Sequence, residues 1–128
     1  MAQENYNRVF ARTAGGTILR GQALTINSAG NVIATTAITE VVVGVALEGC
    51  ASGEQCNFVG PGNIVTALAG AAITPGAQVM PQATGPGKFV TAAGATAISC
   101  GIALTNPGAD NGLFELFFLS NARGPANT

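Results

Sequence analysis

The chain has 128 residues, a net charge of −1 and only 9% charged side chains, so it can build one real core and is far less charged than an ordinary soluble domain. Its 48% apolar residues exclude a disordered chain, and five Lys and Arg with one Tyr and no Trp exclude a basic or stacking nucleic-acid surface. The absence of histidine removes the usual base at neutral pH and the commonest zinc ligand. A monomer so short of charge would be poorly soluble, which predicts that much of its surface is buried in an assembly.

The N-terminal segment 1–15 reads as an extended arm, polar at first and then carrying Tyr6, Val9 and Phe10 as isolated large side chains before a Gly-Gly break. It has no apolar core of a secretory signal, which predicts synthesis in the cytoplasm, where thiols stay reduced. Tyr6 and Phe10 as anchors, with Arg8 and Arg12 as polar clamps, are the candidate contacts to a neighbouring subunit or shell; the alternative is a plain edge strand. Residues 16–119 form the expected single β domain, and 120–128, rich in Gly, Pro and Asn, a loose tail.

Within the domain the strand candidates, in chain order, are Gln22–Asn27, Val32–Thr35, Val41–Leu47 and Gln55–Val59. A strand "GNIVTAL" at 62–68 then links to Ala77–Pro81, Phe89–Ala92, Ala97–Leu104 and Leu113–Leu119. Turn residues recur about every eight to twelve positions, the spacing of a sandwich or barrel, and no window has helical periodicity with caps. The longest strongly apolar run, "VVVGVAL" at 41–47, is far too short to span a bilayer as a helix.

The two halves are a weak duplication, with units at about 16–59 and 71–118. Ile18, Gly21 and Leu24 fall on Ile73, Gly76 and Val79 at a spacing of 55 residues. Gly30, Val32 and "GVAL" (44–47) fall on Gly87, Phe89 and "GIAL" (101–104) at 57. Gly53 then falls on Gly112 at 59, with Phe58 near Phe117. The added residues lie in turns, where insertions cost least.

No catalytic constellation emerges. Cys50, Cys56 and Cys100 cannot complete a tetrahedral metal site alone, and the spacing of Cys50 and Cys56 is not the short one that zinc favours, so no metal or cofactor is expected. Cys50 and Cys56 sit at the shoulders of a hairpin turn and are expected as thiols lining it; a disulfide, within reach at that position, is the alternative. Cys100 is expected as a small buried thiol in an apolar strand. Glu48 and Glu54 flank the same turn without a cationic partner, and "GPGN" (60–63) and "GPGK" (85–88) lack the spacing and following helix of a phosphate loop. The chain therefore reads as a non-enzyme.

The run "VVVGVALEGCASGEQCNFVGPGNIVTALAGAAITPGAQVM", followed by "GKFV" and "ISCGIALTNPGADNGLFELFF", resembles the small capsid decoration, or cement, proteins of tailed bacteriophages over about residues 16–119. The resemblance implies an all-β fold, a compact β-barrel or β-sandwich of β-tulip type, without catalysis. It implies a structural virion protein on the outer capsid surface, cementing neighbouring major capsid subunits. It further implies a homo-oligomer, with a trimer favoured over a dimer; composition and the short apolar runs leave neither nucleic acid nor membrane expected as partner. The alternative is a non-catalytic adhesin or carbohydrate-binding β module, which usually exposes Trp or Tyr to stack on sugars.

Overall fold

The computed structural model describes residues 9–38, 40–82, 84–93 and 98–120. Ten strands and no helix occur among them. The first five are β1 (Val9–Thr13), β2 (Ala23–Ile26), β3 (Val32–Ala34), β4 (Gly44–Ala46) and β5 (Gln55–Val59). The second five are β6 (Asn63–Leu68), β7 (Gln78–Pro81), β8 (Phe89–Thr91), β9 (Gly101–Ala103) and β10 (Leu113–Phe118). They form two antiparallel five-stranded sheets, ordered β1-β5-β4-β2-β3 and β6-β10-β9-β7-β8. The two orders are the same order, shifted by five strands. Of the two architectures left open by the sequence, the sandwich is the one formed, because each sheet ends in its own edge strands and neither closes on itself.

Residue-by-residue pairing makes the duplication sharper than sequence identity does. Leu24 opposes Gly44 and Ala34, while Val79, 55 residues later, opposes Gly101 and Thr91. Even the isolated bridges repeat: Ala14 with Val32, and Ala69 with Phe89. The 62–68 segment is not a link between units. As β6 it pairs with β10 as β1 pairs with β5, so it is the first strand of the second unit.

One register differs from the sequence alignment. Thr13 opposes Gln55, and its counterpart Leu68 opposes Leu113, which sets the last strands 58 residues apart, one less than matching Gly53 to Gly112 implies. Phe58 therefore corresponds to Leu116, which is buried, and not to Phe117 on the opposite face. A slip of one residue exchanges the faces of a strand, so only the spacing of 58 keeps both apolar sets inside. The true counterpart of Gly53 is Asn111, and both adopt the left-handed conformation, at φ 90° and 68°. Asn tolerates that region better than other side chains do, so the turn survives without the glycine.

Each sheet is best described by its two faces. In the first, Leu24, Val32, Ala46, Cys56 and Phe58 pack under Ala14, Ile18 and Cys50 as one core cluster. The opposite face presents Ala23, Val45 and Val59, which join a larger cluster with Val65, Ala67, Val79, Phe89, Ala103, Leu116 and Phe118 of the second sheet. The second sheet thus covers the back of the first, and both faces of the first are buried near their centre. Period-two burial along β10, where Phe114, Leu116 and Phe118 point inward, is what "LFELFF" encodes.

Gly44 and Gly101, the glycines of the two "G-V/I-A-L" segments, have a common cause. A Cβ on Gly44 would strike the Phe58 ring and lie 2.7 Å from the Val59 carbonyl oxygen. On Gly101 it would lie 2.5 Å from the Phe117 carbonyl oxygen and 2.8 Å from Leu116 Cδ1. At both sites the neighbouring strand crosses too closely for any side chain.

Candidate capsid-contact surface

The sequence nominated Tyr6, Arg8, Phe10 and Arg12. Tyr6 and Arg8 lie outside the described residues. Phe10 and Arg12 lie two apart on β1, and so on one face of it. β1 is an edge strand paired only with β5, so the described part of the arm runs as a strand of the first sheet.

Phe10 leans on Phe58, with ring centroids 5.7 Å apart and planes inclined by 30°, and its ring edge passes close over Gly60. Even so, 42% of Phe10 is exposed, as is 50% of Val9 beside it, and Arg12 is exposed too. An open edge strand bearing large apolar side chains, without proline or lysine to guard it, is a ready site for pairing with another chain. Sequence reasoning found this strand from its large side chains. It did not single out Leu19, Val41, Leu104, Leu113 and Leu119, also exposed in the fold, because nothing in their local pattern separates them from core residues.

The thiol-bearing turn is structural in its contacts. The sulfurs of Cys50 and Cys56 meet at bonding distance, with Cα atoms 5.8 Å apart. Glu54 accepts the Ala51 N–H at 2.8 Å through Oε1, closing the turn, and Glu48 Oε2 accepts from the Asn57 amide at 3.1 Å. Both carboxylates are therefore turn and cross-strand acceptors. Among the described residues, no three His, Cys, Asp or Glu side chains gather as a metal-ligand group.

Cys100 is fully buried, and loss of hydration pushes its thiol up to about 12, although a backbone hydrogen bond opposes this. Such a thiol stays protonated and unreactive at neutral pH. The charged groups are sparse: Lys88 and Asp110 pair at 2.9 Å at the rim, with Asp110 largely exposed.

Among the described residues, this arrangement offers an exposed apolar edge strand and no gathering of three metal-ligating side chains. Residues 5–61 match the phage cement protein family. The fold matches the crystal structure of the head fiber gp8.5 N base of bacteriophage phi29, with a TM-score of 0.68 and 16% identity over 91% of this chain and 96% of that one. No curated protein matches the chain. The family match over the first unit and the shared fold agree with the resemblance to phage cement proteins read from the sequence. The family match spans the first unit, and the strand order carries the same architecture through the second.

Proposed function

We propose that the chain binds the outer surface of a phage capsid and cements neighbouring major capsid subunits, as a homo-oligomer and without catalysis. The observation that carries this reading is the cement-family match over the same residues that build the exposed edge strand β1. A protein wedged among several others can dispense with surface charge, because contacts with its neighbours bury the apolar surface. Repetition at symmetry-related sites then makes modest single contacts additive. Val9, Phe10 and Arg12 supply the contact to the shell or to a neighbouring subunit, and Tyr6 and Arg8, just upstream, extend it. A trimer is the favoured oligomer. The likeness in fold to the base of a phage head fiber supports the outer surface as its place.

The test uses DNA-filled heads of the parent phage grown with the gene for this chain deleted. Purified protein added to such heads is expected to cosediment with them at saturable stoichiometry and to raise the temperature at which they release DNA. Heads that neither bind it nor gain stability overturn the proposal. Binding of the protein to glycans rather than to heads would favour the adhesin.

A further inference from the structure

The two units of one chain meet head to tail, and each leaves one half of that contact unused. Inside the chain, the second unit presents Val65 and Ala67 of β6, with the loop around Gly87, to the back of the first sheet. There the Leu68 N–H donates to the Gly21 carbonyl at 2.8 Å, and the Ala23 N–H to the Gly87 carbonyl at 2.7 Å. Gln22 Nε2 donates to the Pro86 carbonyl at 3.0 Å. A Cβ on Gly21 would lie 2.8 Å from the Leu68 nitrogen. The inserted side of this contact is β6 with the Gly87 loop, and the receiving side is Gly21, Gln22, Ala23, Val45 and Val59.

The contact is not a twofold exchange. The inserted side has counterparts in the first unit: Phe10 for Val65, Arg12 for Ala67 and Gly30 for Gly87. Phe10 and Arg12 are exposed, and nothing lies within 4 Å of where a Cβ on Gly30 would stand. The receiving side has counterparts in the second unit: Gly76 for Gly21, Ala77 for Gln22, Gln78 for Ala23, Ile102 for Val45 and Phe117 for Val59, so all but the Gln22 side-chain bond can recur. Gly76 and Gln78 are exposed, and Ile102 and Phe117 are half-buried where Val45 and Val59 are fully buried. The same positions are thus sealed at the internal contact and open at the two ends of the molecule.

From this we infer that copies of the chain join head to tail by repeating the internal contact. The Phe10–Arg12 face of one copy seats on the Gly76, Ile102 and Phe117 face of the next. The occupant is a second copy because the contact, with both partners in place, already exists within the chain. Charge agrees: Arg12 stands on the inserted face, and Glu115, between Phe114 and Leu116, belongs to the outer face of the second sheet. A heterologous contact of this kind closes into a ring if its rotation permits and otherwise runs on as a filament. The inference rests on the oligomeric reading above and specifies its interface.

The experiment is a complementation of two blocked faces, read by size-exclusion chromatography with light scattering. Wild type is expected as a defined oligomer, and Phe10→Asp, with the inserted face blocked, as a folded monomer. Phe117→Asp, with the receiving face blocked, is expected to be monomeric too; Ile102→Asp serves on the same face if that variant does not fold, as judged by circular dichroism and thermal melting. Mixed one to one, a variant of each face is expected to give a dimer that grows no further, because the pair retains one intact interface. A wild type that stays monomeric at all concentrations overturns the inference. So does a Phe10→Asp variant that keeps the wild-type mass, or a mixture that remains monomeric. Head binding is scored separately, so an oligomer that ignores heads overturns the cementing function alone.

Discussion

Adding a single methyl group at Gly44 or Gly101 probes whether strand spacing, and not turn geometry, is the reason for the repeated glycine. In Gly44→Ala the new Cβ meets the Phe58 ring, which can turn aside, and the Val59 carbonyl oxygen at 2.7 Å, which is backbone and cannot. In Gly101→Ala the obstacle at 2.5 Å is again a carbonyl oxygen, that of Phe117. Ordinary van der Waals contact begins near 3.4 Å, so β4 or β9 must move by most of an ångström against a packed core. Overpacking of this kind costs about 1–3 kcal/mol, and with backbone on the far side the upper end applies, about 3 kcal/mol. At a urea m-value of about 2 kcal/mol/M, the unfolding midpoint falls by about 1.5 M. The controls are chosen from the same molecule. Gly16→Ala, with open space around its Cβ, is expected within about 1 kcal/mol of wild type. Gly53→Ala has open space but φ 90°, and is expected to lose about 1–2 kcal/mol from backbone strain alone. If Gly44→Ala and Gly101→Ala unfold at the same urea concentration as Gly16→Ala, the close-approach argument is wrong.

Three further outcomes follow from the same geometry. Bonded Cys50 and Cys56 close a loop of sequence separation 6, which constrains the unfolded chain by about 2 kcal/mol; reduction should lower the melting temperature by about 8 °C, and an unchanged melt on reduction would refute the bond. Cys100 has a folded pKa of about 12 against an ordinary value of 9.0, so its protonated form supports the fold fully below pH 9. That support falls by about 1.4 kcal/mol per pH unit between the two values, and in urea titrations Cys100→Ala should flatten this alkaline limb relative to wild type. Asp110→Asn removes a pair whose carboxylate is 60% exposed, so its effect on the urea midpoint should correspond to less than about 1 kcal/mol.

The repeat was legible in the sequence wherever both copies face the same surroundings. "GVAL" and "GIAL" match because Gly44 and Gly101 answer the same steric demand, and Leu24 and Val79 match because both fill a core. The first strands did not match, since "VFART" and "IVTAL" have diverged. Ala67 is buried against the first unit while its counterpart Arg12 meets solvent, so the same backbone position was filled by opposite chemistry. The glycine of the last turn misled for the opposite reason: Gly53 and Gly112 are identical in type, but conformation pairs Gly53 with Asn111. Along the buried strands the apolar run was longer than the strand formed. Val41 to Leu47 yields only Gly44–Ala46 as strand, although the Val43 and Leu47 N–H groups on either side still donate to the Leu24 and Asn57 carbonyls at 2.8 and 3.0 Å.

By itself the sequence determined the β class, the approximate turns, the duplicated pattern and the absence of histidine-based chemistry, since all of these are properties of local spacing and residue type. Tertiary structure alone decided that the 62–68 strand opens the second unit, that Cys50 and Cys56 meet, and that β1 lies at an open edge. It also decided which side of each sheet is covered. A period-two pattern shows that a strand has two faces, but whether another sheet lies across a face depends on residues far away in the chain. For the candidate contact surface that distinction is decisive: Phe10 and Val65 occupy equivalent places, and only the packing of one unit upon the other leaves Phe10 at the surface.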